Sequence, residues 1–391
     1  MASGRRGKVT VRERTRRVPW NPAMFSLSRG VFFSTFAGVW QSMGFIETVF
    51  EKVRRHPKRV VFPDGELPRV IRAAEIFYER QLGIPILLGR REVIENIAAH
   101  EKISLDHVAI VNPQTSDELP AFCRRLERLE RYRKTGLRDS METMVKPNYF
   151  AAMMVQYGLA DALVGGVESA GGALLRPMLL LVKPLPFADV ISSCTIVELK
   201  SRQHGDDGVL FFGDTGIVPD PTIEQLASIA VQTGQFARQV FGRRPRVAML
   251  SFSTKGSART ASTEKVAAAV ELARHIAVKA GAEMSVDGEM QADAALDAAL
   301  AEIKMGESHV GGRANVLVFP DLNSGNISVK LVQMLADCES YGQMFLGFTK
   351  PAADLPRGCT PQGIVAMAAL VGLQAIEYRK LYPAEDPGSD A

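Results

Sequence analysis

The chain is poor in cysteine: Cys123, Cys194, Cys338 and Cys359 lie far apart among 391 residues. None forms a CxxC pair, and no histidine stands at zinc spacing from them. That argues against a structural metal site and fits free thiols in a reducing, cytoplasmic compartment. Long apolar runs are also missing. The stretch from Gly30 to Trp40 is too short to span a bilayer, and no clear secretory cleavage site follows it. No GxxxxGK[ST] loop is present, so P-loop nucleotide hydrolysis is unsupported, and no GxSxG marks a serine hydrolase. There is no repeat of fixed period, and no low-complexity tract apart from the polar end Glu385–Ala391.

An excess of positive charge is missing from the body of the chain as well. The formal net charge is +4, but residues 1–42 carry Arg5, Arg6, Lys8, Arg12, Arg14, Arg16, Arg17 and Arg29 against Glu13 alone. The remainder is therefore mildly acidic and offers no overall basic field for nucleic acid. The basic segment 1–42 reads as an organelle transit peptide, as a disordered tail, or as a start assigned too early, with Met43 the natural one. The third reading is favoured, because Met43 opens an amphipathic helix with Phe45, Ile46, Val49, Phe50 and Val53 on one face.

What is present is an alternation of short apolar runs and helical patterns. Strands are expected at Arg59–Pro63, Pro85–Leu88, His107–Val111, Ala162–Val164, Val190–Val197, Val209–Phe212, Val247–Phe252, Met284–Val286, Val316–Phe319 and Met344–Gly347. Helical spacing marks Leu67–Gln81, Thr222–Phe241, Ser262–Ala280, Ile327–Leu335 and Gln362–Tyr382. Such alternation, with strands rich in Val, Ile and Leu, implies an α/β fold with mostly parallel sheets covered on both faces.

In such sheets ligands gather at the carboxyl ends of strands. Five loops sit there. Pro63-Asp64-Gly65-Glu66 is explained by helix capping and the helix dipole. Gly165 to Pro177 holds Gly165, Gly166, Gly171 and Gly172, which let a ligand approach backbone amides, and Arg176, whose fork suits phosphate; a flexible loop with a surface arginine explains the pattern equally well. Ser251 to Thr260 sets hydroxyls, Gly256, Lys255 and Arg259 at a helix start, an arrangement suited to an anion. Pro320 to Asn326 is ordinary turn chemistry taken alone. Asp354 to Gly363 places Arg357 beside Gly358 before the last helix, again suited to an anion. Cys359 there has no histidine near it in sequence and reads as a packed thiol rather than a nucleophile.

In this order the loops resemble the phosphate acetyl/butyryl transferase (phosphotransacetylase) family and the related C-terminal domain of large malic enzymes. The resemblance runs from about Met43 to Glu377. It rests on Val247 to Ala258 (VAMLSFSTKGSA), Asp287 to Ala295 (DGEMQADAA), Ala314 to Asn323 with Gly325-Asn326-Ile327, and Asp354 to Cys359 (DLPRGC). It implies two three-layer α/β domains with mostly parallel sheets and an interdomain cleft, an isocitrate/isopropylmalate dehydrogenase-like architecture. The first domain would take 43–188 with 344–391, the second 189–343. It implies acyl transfer between phosphate and the thiol of coenzyme A, so that coenzyme A or acyl-CoA and phosphate or acyl phosphate are substrates. No bound cofactor or metal is expected, nor a nucleic-acid or membrane partner, and the family is homodimeric.

Carried over by residue, Arg176 matches the family's arginine in a Leu-Arg-Pro element and Arg357 that of its Ser-Arg-Gly motif; both are expected to be catalytic. A third family arginine falls near Arg133, with Tyr132 in its counted place. Ser253, Thr254, Lys255, Gly256, Ser257, Arg133 and Asn326 are expected to bind substrate. Two positions depart: the motif serine is Pro356, and the aspartate that takes the thiol proton is Gly363. Three readings therefore stand. The chain is a working phosphate acyltransferase whose base lies elsewhere or whose thiolate comes from solution, a weakened acyl-CoA or acyl-phosphate binding paralogue, or a transferase for another acyl group, with Ala173 and Leu174 shaping the pocket.

Overall fold

In the computed structural model the described residues are 44–137, 139–168, 172–186 and 188–381. The basic segment 1–42 and the polar end Glu385–Ala391 lie outside them. From the start, the elements are α1 (Phe45–Arg54), β1 (Lys58–Phe62), α2 (Pro68–Glu79), β2 (Gly83–Leu88), α3 (Arg91–Glu101), β3 (Ala109–Val111), α4 (Leu119–Arg128), α5 (Glu130–Arg133), α6 (Ser140–Met144), α7 (Pro147–Gln156), β4 (Ala162–Gly165) and α8 (Leu175–Leu181). Next come β5 (Ser192–Leu199), β6 (Val209–Gly213), α9 (Ile223–Phe241), β7 (Arg246–Leu250), α10 (Ala261–Lys279), β8 (Ser285–Met290), α11 (Ala292–Leu296), α12 (Ala298–Met305) and β9 (Val316–Val318). The chain closes with α13 (Leu322–Leu335), β10 (Cys338–Leu346), β11 (Ala352–Asp354) and α14 (Pro361–Leu381).

Local chemistry explains the principal elements. Helix α1 buries Phe45, Val49, Phe50 and Val53, the face expected from its spacing. Helix α9 starts on a capping box between Thr222 and Gln225 and stops at Gly242, whose φ of 69° suits glycine. Helix α14 buries every residue from Ile364 to Val371; a helix apolar all round belongs inside a protein. It packs against α1, α2 and β4.

The eleven strands form one sheet in the order β3-β2-β1-β4-β11-β10-β5-β6-β9-β7-β8. It is mostly parallel, as the alternation predicts, and the sheets expected of two halves are continuous. The join is β10, antiparallel to both β11 and β5, with an irregular register between Tyr341 and Met344. Strands β1, β4 and β11 are mutually parallel, as are β6, β9, β7 and β8. Between these sets three antiparallel pairings intervene, so the two sets run in opposite directions. One apolar cluster draws residues from both, Val60 and Val164 from the first and Met249 and Val316 from the second.

Strand β11 is missing from the sequence expectations because Ala-Ala-Asp carries no β-branched or aromatic residue. The first half of β10 opens on Cys338-Glu339-Ser340, which has the same weakness. Helices α3 to α8 escape a search for long periodic runs, because most are short.

Candidate active site

Strands β1, β4 and β11 lie side by side, so their carboxyl ends deliver three of the five loops to one place. Leu355 N–H donates to the carbonyl of Gly165 at 2.8 Å, tying the third loop to the second. Asp64 ties the first to the second: its Oδ2 accepts from the amides of Gly166 at 2.9 Å and Val167 at 3.1 Å. Capping, the explanation suggested by sequence, is not what this turn does. The N-cap of α2 is Leu67, whose side chain can accept no amide, and Pro68 follows it at the first helical position, where a proline is well placed. Glu66 is engaged elsewhere, gripping Arg90 through its main-chain amide and guanidinium.

Arg69, on the first turn of α2, completes the join. Its Nη1 donates to the carbonyl of Arg357 at 2.8 Å, and its Nη2 lies 3.6 Å from Glu168 Oε1. Arg357 and Arg176 are both exposed, Arg176 in the first turn of α8, which begins at Leu175. Asp354 ends β11 three residues before Arg357. Gly166 has φ +96°, and a Cβ there would lie 1.9 Å from Asp354 Oδ1; only glycine permits this approach. Burial, together with the Asp64 charge, pushes Asp354 up to about 6. Asp64 is also raised, by burial, against the opposing pull of the Val167 and Gly166 amides.

The remaining residues of this group are less central. Cys359 is half-buried against the main core, and burial raises its thiol, in keeping with a packed thiol. Leu174, expected to shape a pocket, is fully buried in a core cluster instead. Tyr132 is buried, whereas Arg133 is exposed on α5. Their neighbour Arg131 donates to the carbonyls of Leu179 and Val182, where a cation meets the carboxyl end of α8. Gly363 sits in the first turn of α14, its N–H donating to Thr360 Oγ1 at 3.1 Å. A Cβ at Gly363 would meet only Thr360 Oγ1, at 3.5 Å.

The loop after β7 is bonded within itself and to Glu289. Its amides already have acceptors. Thr254 N–H donates to Ser257 Oγ, Gly256 N–H to Glu289 Oε1 at 2.7 Å, and Ala258 N–H to Ser253 Oγ. Lys255 N–H donates to the carbonyl of Glu289, and Ser257 N–H to that of Thr254. Ser253 is fully buried, and its hydroxyl donates to Glu289 Oε1 at 3.0 Å. Thr254 Oγ1 accepts from Gln291 N–H. The carboxylate of Glu289 thus occupies the anion's place. Lys255 is likewise committed: its Nζ lies 2.5 Å from Asp287 Oδ1. Burial opposes the Asp287 charge, but Lys255, Ser308 and the Gly288 amide outweigh it and hold that carboxyl below its usual range.

Asn326 belongs to helix α13 rather than to a turn, because Asp321 caps the amide of Ser324. Its Nδ2 donates to the carbonyl of Thr215 at 2.9 Å. Gly325 lets the helix pass the carbonyl of Asp214, which a Cβ would meet at 2.4 Å. These residues and the β7 loop sit at carboxyl ends of the oppositely directed strand set. Among the described residues no recorded hydrogen bond or ion pair links them to Arg357 or Arg176.

The ends of β1, β4 and β11 thus carry a pair of carboxylates, Asp64 and Asp354, with Arg69 and the exposed Arg357 on the adjoining segments. Comparison with known proteins decides the family. The Phosphate acetyl/butaryl transferase family matches residues 44–371.

The chain belongs to that family.

It is 40% identical over 333 residues to the phosphate acetyltransferase of Thermoanaerobacterium thermosaccharolyticum, covering 85% of this chain and all of that one. It is 36% identical to the phosphate acetyltransferase of Clostridium acetobutylicum, covering 85% of this chain and 99% of that one. Among solved structures, a phosphotransacetylase from Streptococcus pyogenes superposes with a TM-score of 0.78 at 34% identity, covering 85% of this chain and 99% of that one. Within the phosphate acetyl/butaryl transferase family, then, this member places Gly363 and Pro356 where the resemblance leads one to expect an aspartate and a serine.

Sequence reasoning missed Asp64, Asp354 and Arg69. Asp64 and Asp354 each stand at a strand's carboxyl end, a signal available in the sequence. Arg69 offers none, since an arginine in the first turn of a helix is unremarkable until its partner is known.

Proposed function

We infer that this chain is a phosphate acetyltransferase, moving an acetyl group between phosphate and the thiol of coenzyme A. The observation that carries the reading is the family match over residues 44–371, which includes all three loops joined by Asp64 and Arg69. Arg357 and Arg176 hold the phosphoryl group, with Arg133 as a third cation near it. Guanidinium forks suit a phosphate that gains charge as it leaves. The strand set carrying them lies in 43–188 and 344–391, with 189–343 as the second domain across a cleft. Coenzyme A is a substrate, and no resident cofactor takes part.

The relatives are named as transferases, which gives the weakened binding paralogue no support. A second copy of the chain is the expected partner, in the cytoplasm. Supporting this, α13 exposes Ile327, Leu331, Met334 and Leu335, an apolar stripe at helical spacing. No helix among the described residues is long and apolar enough to cross a membrane.

The test is acetyl phosphate with coenzyme A, following thioester formation and phosphate release, with butyryl phosphate alongside. The reading expects thioester from acetyl phosphate at enzymatic rates. Binding of both substrates with no thioester formed would contradict it.

A further inference from the structure

The position from which the family's aspartate would take the thiol proton is Gly363, which has no side chain to do so. A thiol with a pKa of about 8.5 is mostly protonated at neutral pH, so a replacement base has work to do. Four other acidic or thiol groups lie near Arg357: Asp64, Glu168, Asp354 and Cys359. Asp64 accepts two backbone amides through one oxygen and braces the glycine loop. Glu168 lies against Arg69. Cys359 is a half-buried thiol, itself an acid at neutral pH. Asp354 differs from all of these. It is half-buried at the end of β11, and among the described residues its carboxylate accepts no hydrogen bond. It is brought against Gly166 so closely that a Cβ could not be accommodated there.

We propose that Asp354 is the general base for the coenzyme A thiol, in place of the missing side chain at Gly363. The proposal rests on the phosphate acetyltransferase reading and deepens it. The S–H bond breaks and its proton passes to a carboxylate oxygen of Asp354. The thiolate forms a C–S bond with the carbonyl carbon of acetyl phosphate. The C–O bond to phosphorus's oxygen breaks, and inorganic phosphate leaves against Arg357 and Arg176. In the reverse direction the Asp354 carboxyl returns its proton to the departing thiolate.

The physical case is a division of roles between two carboxylates. Both lie against the same short segment, Gly166–Val167, but one is fixed by amides and the other is left without a donor. Pairs whose environments differ in this way are how acid–base roles are separated. Burial and the nearby Asp64 charge lift Asp354 to about 6, which makes it a stronger base than an ordinary carboxylate and still ionised at neutral pH. The charged group that acts on it is Asp64 after β1; Arg69 on α2 and Glu168 in the glycine loop act on Asp64 in turn, and Arg357 follows three residues later on its own segment.

The experiment is the pH profile of kcat for thioester formation, in the natural protein, in Asp354→Asn, and in Asp354→Asn combined with Gly363→Asp. The natural protein should be active, with kcat falling as pH drops through about 6. Asp354→Asn should lose about 10²–10⁴-fold in kcat and lose that limb, with little change in KM for acetyl phosphate. Adding Gly363→Asp should restore part of the rate, since a side chain there is sterically free. An Asp354→Asn protein that keeps both its kcat and the limb overturns the proposal while leaving the transferase reading intact. A natural protein that forms no thioester at any pH overturns the transferase reading itself, and this proposal with it. Should Asp354→Asn fail to fold, the natural profile decides alone, because the absence of an ionisation near 6 rejects Asp354.

Discussion

The guanidinium of Arg69 donates to the main-chain carbonyl of Arg357 at 2.8 Å and reaches toward Glu168 with its other nitrogen, at 3.6 Å. One side chain on α2 thus touches two loops, the one that carries Arg357 and the one that carries the glycines. Arg69 acts through Arg357, so it is a positioning residue. Arg69→Ala should lower kcat/KM for acetyl phosphate by roughly 5- to 20-fold, because the bond is charge-assisted but partly solvated. A double-mutant cycle with Arg357→Ala should show strong non-additivity. Additive losses would mean that Arg69 does not work through Arg357.

Asp354 predicts a cost in stability. Its carboxyl is pushed up to about 6, above the ordinary unfolded value of about 3.9. The folded state therefore binds this proton more tightly than the unfolded chain. The group's contribution is fully present below about pH 4 and is lost as pH rises through about 6. At pH 7.5, Asp354→Asn should be more stable than the natural protein by roughly 1–2 kcal/mol, after discounting for partial exposure. The gain should shrink as the pH is lowered to about 4. Urea melts at the two pH values check this, and an equal difference at both would contradict it.

Glu289 stands where an anion was expected, and it is nearly inaccessible to solvent. Glu289→Ala would leave the amide of Gly256 without its acceptor, while the hydroxyl of Ser253 keeps the carbonyl of Ala258. Leaving such an amide unpaired costs about 1–3 kcal/mol. Chemical denaturation should show that loss. Phosphate binding measured by calorimetry at the Arg357 site should hardly change, because among the described residues no hydrogen bond or ion pair connects the two regions.

Much of the fold is legible in the sequence, since parallel strands buried on both faces announce themselves as Val/Ile/Leu runs. Strand β11 does not. Its three residues Ala352–Asp354 gain their place from the neighbours β4 and β10, not from propensity. The site divides in the same way. Arg357 and Arg176 can be found by motif, because loop residues at strand ends point to ligands. Which hydroxyls and amides remain free cannot be read from the letters: Ser253-Thr254-Lys255-Gly256-Ser257 has the composition of an anion loop, yet Glu289 and Asp287, distant in sequence, satisfy it. The Asp64–Gly166 bond has the same character, joining residues 102 positions apart. Spacing along the chain carries local chemistry and loses tertiary partners.

The most direct test of the central claim is the rate of thioester formation from acetyl phosphate and coenzyme A by the natural protein and by Arg357→Ala. The account predicts robust transfer in the natural protein. In the variant it predicts a loss of about 1.5–3 kcal/mol in transition-state stabilisation, the worth of a charge-assisted contact to phosphate. Equal rates in the two proteins would contradict it, because the phosphoryl group would then be held somewhere other than at the ends of β1, β4 and β11.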